Sequence, residues 1–130
     1  MEVVLETKVV RVEDSKSNRR LEARVEVVGA DLVVAVGGGE RPHIGVVVLA
    51  QPVDARTPTC SVLTIPPHKE EPIARGIAAK LARDLGRVTV VTAGVHDDDI
   101  DAEGIACYLR LGEELGEELV RILSGIAEAR

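Results

Sequence analysis

The chain contains three histidines, each in a short polar segment rich in groups that bind or catalyse. His43 belongs to GGGERPHIG (37–45), His68 to PPHKEE (66–71) and His96 to GVHDDD (94–99). Two chemistries suit these residues. In the first, an anion such as a phosphate is held. Gly37, Gly38 and Gly39 permit positive φ and close backbone approach, so their amides could cradle it. Arg41 adds a planar donor fork, and Lys69 a point charge near a helix start. In the second, His43, His68 and His96 act with Asp97, Asp98 and Asp99 as nitrogen and oxygen ligands for zinc or iron. No two of these histidines have a local ligand spacing such as i, i+4, so the phosphate reading ranks above the metal one. The glycine run precedes a strand, whereas dinucleotide-binding and Walker loops open a helix, and it matches neither. Cys60 and Ser61 fall mid-strand with no adjacent base, which disfavours a covalent nucleophile. Each polar group also has a plainer role: His43 can close a turn after Pro42. Glu70 and Glu71 suit the positive end of a helix, and Asp99 or Asp101 can cap the next one.

The elements that must position these segments follow from hydrophobic periodicity. Residues 3–12 read as a Val-rich strand whose imperfect alternation suits a bulge or an exposed edge. Over 21–28, Leu21, Ala23, Val25 and Val27 alternate with Glu22, Arg24 and Glu26, which is a strand with one wet face. Leu32, Val34 and Val36 share a face of a third strand, interrupted at 37–45. Val46–Ala50 is a continuous apolar run and reads as central, and a fifth strand spans 59–65. Ile73, Ile77, Leu81 and Leu85 recur at helical spacing, with Pro72 in the first turn and Gly86 past the end. A sixth strand covers 87–93. From about Asp101 to the C-terminus, Tyr108, Leu111, Leu115, Leu119, Ile122 and Ile126 form the stripe of a long helix. Gly104, Gly112 and Gly116 each cost that helix about 0.5–1 kcal/mol relative to alanine. Their spacing predicts close approach to the sheet or to a second subunit, with a crossing inside one subunit preferred.

The expected fold class is α+β: about six strands in a mostly antiparallel sheet (β-meander then β-α-β-α) with two helices packed on it, forming one domain over 1–130. Strands one, three and five of a meander point the same way. The first helix returns the chain so that the sixth runs parallel to the fifth. The segments after strands three, five and six therefore emerge at one end of the sheet, and all three histidines share that address.

Composition limits the partners. Lys and Arg total 16 against 22 Asp and Glu, a net charge of −6, and there is no Phe or Trp to stack on bases. Both counts argue against nucleic-acid binding. No apolar run approaches the roughly 20 residues that span a bilayer, and no signal-peptide pattern opens the chain, so a cytoplasmic, non-membrane location is expected. Cys60 and Cys107 are too few for a disulfide framework and read as small buried hydrophobes. Asn18 and Gln51 are the only side-chain amides, a depletion that suits a thermophilic source.

The run Gly38-Gly39-Glu40-Arg41-Pro42-His43-Ile44-Gly45, followed by Val46–Ala50, resembles the prenylated-flavin chaperone-like (LpdD-like) family. His68-Lys69-Glu70 before the first helix and Gly94-Val95-His96-x-Asp98 after the sixth strand continue the match in order. The resemblance implies a fold related to the proteasome assembly chaperones, commonly dimeric, and an accessory role toward decarboxylases that use prenylated flavin mononucleotide (FMN). It makes Gly38, Gly39, Arg41, His43, His68, Lys69, Glu70, His96 and Asp98 the ligand-facing candidates, FMN or prenylated FMN the candidate cofactor, and a client decarboxylase a candidate partner. Two departures stand out. Pro67 replaces an expected glycine, and Asp97, Asp98, Asp99 and Asp101 crowd an anion site with acid that Arg41, Lys69 or a cation must offset. The rival readings are a homodimeric protein-interaction module with no small ligand, and a small metal-dependent enzyme using His43, His68 and His96.

Overall fold

A computed structural model describes residues 1–2, 8–54, 56–66 and 70–125. His68 and Lys69, the first half of the expected first strand, and Ile126 lie outside the described residues. The elements are β1 (Lys8–Glu13), β2 (Arg20–Val28), β3 (Asp31–Gly39), β4 (Val46–Gln51), β5 (Thr59–Thr64), α1 (Glu71–Leu85), β6 (Thr89–His96) and α2 (Ala102–Leu123). The six strands form one sheet in the order β1-β2-β3-β6-β4-β5, and among the described residues β3 and β6 are its only parallel neighbours. Strand directions are those the connections demand. The sheet nevertheless opens between β3 and β4 to admit β6, a step that no local pattern in the sequence announces.

Alternation decides what each face does. Leu21, Ala23 and Val25 of β2, Leu32, Val34 and Val36 of β3, Val46, Val48 and Ala50 of β4, and Val91 and Ala93 of β6 point inward. There they join Ile73, Ile77 and Leu81 of α1 and Leu111, Leu115 and Leu119 of α2 in one buried cluster. Both helices cover this inner face; α1 lies over β4, β5 and β6, and α2 over β1 and β2. β1 is an edge strand, and β4 is an interior one, as their patterns suggest.

The cap chemistry of α1 matches its sequence: a proline sits in the first turn, and Gly86 ends the helix in the left-handed region at φ 64°. In α2, Leu123 is buried in place of the half-buried Ile122, so the stripe rotates slightly at its end. The glycine spot on α2 faces α1, not the sheet. A Cβ at Gly112 would lie 3.3 Å from Ile73 Cγ2, and one at Gly116 3.3 Å from Lys80 Cδ. The two cysteines are free, Cys107 buried and Cys60 half-buried. Among the described residues, no helix is long and apolar enough to cross a membrane.

Candidate functional site

The glycine run is not a loop. β3 continues through Gly37, Gly38 and Gly39, where Gly38 pairs with Leu21 on one side and with Val95 on the other. A residue between two strands commits its backbone groups to its neighbours. Only Gly39 takes positive φ, at 75°. The physical reason for the other glycines is proximity. A Cβ at Gly38 would sit 2.6 Å from both Arg20 O and Leu21 Cδ2.

Gly37 and Gly94 face outward, and residues 42–43 lie across them as a strap. A Cβ on Gly37 would come within 3.0 Å of Pro42 Cβ, and one on Gly94 would overlap the carbonyl oxygen of His43. Arg41 N donates to His96 O and Gly45 N to Ala93 O, which stitch the strap to β6.

The strap delivers His43 to Glu70. β4 begins opposite Ala93, so β6 outruns it by three residues and leaves the Val95 N–H without a strand partner on that side. The Glu70 carboxylate supplies one: Oε1 accepts from Val95 N at 3.2 Å. His43 Nε2 lies 3.2 Å from the same oxygen, and the Glu70 side chain is only 7% exposed. His43 Nδ1 is 3.0 Å from Arg41 O. A carbonyl only accepts, so Nδ1 carries its proton there. The Nε2 faces the Glu70 carboxylate as a close polar contact. Glu70 thus turns away from the helix start, and its side chain makes no cap hydrogen bond. Glu71, in the first turn, pairs with Arg75 at 2.5 Å.

Arg41, His96 and Asp98 form a second group at the same corner. Arg41 Nη2 lies 2.5 Å and His96 Nε2 3.0 Å from Asp98 Oδ1. The hydrogen bond from His96, followed by the Arg41 charge, holds the Asp98 carboxyl below its ordinary range. His96 closes β6, not a loop, and sits opposite Gly39.

Asp97 and Asp101 are also compensated. Glu40 N donates to Asp97 Oδ1 at 2.8 Å, and Tyr108 OH to Asp97 Oδ2 at 2.5 Å, with Arg19 Nε 4.0 Å away. The anion at the glycine-marked turn is therefore the protein's own Asp97. Asp101 caps α2 by accepting from Gly104 N at 2.8 Å. Tyr108 and Arg19 belong to a cleft of about 710 Å³ between the β1–β2 turn and the start of α2, also lined by Asn18, Arg20, Glu40 and Asp99. Sequence reasoning missed this cleft. The parity that gathers the histidine segments at one end also puts the turn after β1 there, and that signal could have found it.

His43, Glu70, Arg41, His96 and Asp98 are thus brought together at one corner of the sheet, with Gly38 and Gly39 beneath them as packing. Among the described residues, no group of three or more His, Cys, Asp and Glu side chains is placed to hold a metal ion.

The sequence profile of the prenylated flavin chaperone LpdD-like domain matches residues 15–124. Protein LpdD of Lactiplantibacillus plantarum is 29% identical over 112 residues, which cover 78% of this chain and 75% of that protein. In architecture, the chain is similar to one from the crystal structure of a novel chaperone complex for yeast 20S proteasome assembly. The TM-score is 0.60 at 14% identity, with 92% of this chain and 98% of the other covered. At that identity the likeness is one of fold.

Proposed function

We propose that this chain, which belongs to the prenylated flavin chaperone LpdD-like family, is a non-catalytic accessory protein that binds a flavin phosphate or similar ligand at the corner where β3 and β6 end. The observation that carries this reading is the convergence of Arg41, His43 and His96 on that corner. The Arg41 side chain is 63% exposed, and its guanidinium pairs with an exposed carboxylate, Asp98. A phosphate dianion competes well for such a fork, because it offers more charge and more acceptor oxygens. The neighbouring acids do not forbid it, since Asp97 and Asp101 already receive hydrogen bonds from within the fold.

The ring end of a flavin needs apolar surface. Ile44 (58% exposed) and Ile65 (53% exposed) offer it beside His43, joined by the hydrogen bond from Ile65 N to Gly45 O. His68 and Lys69, just before α1 in sequence, are further candidates for the same ligand. The bound flavin would be FMN or prenylated FMN, its user a client decarboxylase, and the protein a homodimer.

Titration of FMN and prenylated FMN into purified protein tests the reading, with Arg41→Ala and His43→Ala alongside. Saturable binding weakened about ten-fold or more by either substitution is expected for a lost charge-assisted contact. Failure of well-folded protein to bind either flavin would remove the ligand role. A homodimeric protein-interaction module without a small ligand would then remain, a reading favoured by the exposed apolar face of the sheet.

A further inference from the structure

A groove of about 350 Å³ runs between α1 and α2 and opens to solvent. Ile73, Gly76 and Ile77 line it from α1, and Leu109, Gly112 and Gly116 from α2. Leu109 is 42% exposed. Ile105, one turn earlier on the same side of α2, is 45% exposed and continues the apolar strip. Glu113 and Glu117 stand at the α2 rim.

Two features of this groove cost stability, and neither is used inside the chain. Gly76 lies in the interior of α1, where glycine is worse than any residue but proline. Yet a Cβ there would meet nothing within 4 Å, whereas Gly112 is glycine because Ile73 presses on it. Glu113 and Glu117 are four residues apart on α2, a spacing at which like charges repel. Neither forms an ion pair among the described residues, because every cation of the two helices is taken by another acid. Arg75 pairs with Glu71, Lys80 and Arg83 with Asp84, Arg110 with Asp14 and Arg121 with Glu118.

We infer that this groove receives an amphipathic, basic helix of a partner protein. Its aliphatic anchors lie over Gly76 and against Leu109, and its lysines or arginines meet Glu113 and Glu117. The missing Cβ at Gly76 gives the depth into which an anchor side chain inserts, the mode by which helices bind apolar grooves. The rim acids select the sign of the occupant. A basic helix relieves the repulsion between Glu113 and Glu117, and an acidic one adds to it. A second copy of the chain is disfavoured on the same ground, since it brings the same two acids and a net charge of −6. The groove shares no lining residue with the corner that holds Arg41, His43 and His96, so the inference stands whether or not the chain binds flavin.

The probe is a fluorophore-labelled synthetic helical peptide with leucines along one face and lysines flanking them, followed by anisotropy against the full chain. Saturable binding is expected. The same peptide with glutamates for its lysines, and one of the same composition in scrambled order, should bind about ten-fold more weakly or worse. Gly76→Leu, which fills the groove, should weaken the lysine peptide by a similar factor. Glu113→Lys combined with Glu117→Lys should do the same and let the glutamate peptide bind instead. Thermal unfolding checks that each variant is folded. Should leucine at 76 disturb the fold, Leu109→Ala removes a wall of the groove from an exposed position and repeats the test. Three results overturn the inference: no binding to the wild type, equal binding of the scrambled peptide, or binding indifferent to the changes at Gly76 and Leu109. A change in the sedimentation of the chain itself on Gly76→Leu would assign the groove to a second copy and overturn it equally.

Discussion

The Glu70 carboxylate and the His43 imidazole meet 3.2 Å apart beside the Val95 amide, at the place where β6 outruns β4. Three chain segments converge there: the strap, the start of α1 and the end of β6. A buried carboxylate accepts from an open strand amide and faces a histidine, so its removal leaves the buried amide short of its partner.

Glu70→Ala is therefore expected to destabilise the fold by about 2–3 kcal/mol, with Glu70→Gln costing less because the amide oxygen still accepts from Val95 N–H. A urea melt followed by circular dichroism reads this directly. Equal stability of Glu70→Ala and the wild type would show that the carboxylate is not needed there.

Asp98 restrains the ligand end of the proposed site. Without it, Arg41 loses an opposing charge, so Asp98→Asn should tighten FMN binding roughly five-fold. Unchanged or weaker affinity would place the phosphate elsewhere. The Asp98 pKa is depressed, so the contribution of its pairing to stability is present above the unfolded value and is lost as pH falls through the folded one. In a carboxylate NMR titration, Arg41→Ala should raise the Asp98 midpoint only partly. The hydrogen bond from His96 is the larger cause.

Tyr108 is the only tyrosine, so its ionisation can be read by absorbance without overlap. Burial first, and then the hydrogen bond to Asp97, holds its phenol above the ordinary value. A raised folded-state value gives stability that is whole below the unfolded value, near 10, and is lost as pH rises beyond it. Tyrosinate absorbance should accordingly rise together with alkaline unfolding and not before it. Tyr108→Phe should cost about 1–2 kcal/mol at neutral pH by leaving Asp97 short of a donor. Ionisation that precedes unfolding would show that the phenol is open to solvent.

Much of this arrangement is legible in the sequence, and the rest fails for a physical reason. The strict alternation of β2 and the 3.6-residue spacing of α1 report which side of each element is buried, because one side chain either faces the core or does not. Strand direction follows from connection parity, which is why His43 and His96 are correctly sent to one end. Partners across long separations leave no such trace. Nothing near Gly94 indicates that residue 43 will cross it, and nothing near Glu70 names Val95. The reading of Gly37 and Gly38 as a flexible cradle rests on what glycine permits. Their structural role is what glycine lacks, a Cβ where another chain segment must pass.

The same distinction separates two helix glycines. Gly76 lies in the interior of α1, and a Cβ there would meet nothing within 4 Å. Gly76→Ala should therefore stabilise the protein by about 0.5–1 kcal/mol, through a smaller loss of backbone entropy on folding. Gly112 is equally helical, but its Cβ would press on Ile73 Cγ2 at 3.3 Å, across the contact that seats α2 on α1. The propensity gain at Gly112→Ala must therefore be spent on displacing Ile73, a residue whose core face leaves it 7% exposed. Thermal unfolding of the two variants should show Gly76→Ala above the wild type and Gly112→Ala at or below it. A stabilised Gly112→Ala would mean that the helices have room to separate, and that close approach is not why glycine stands there.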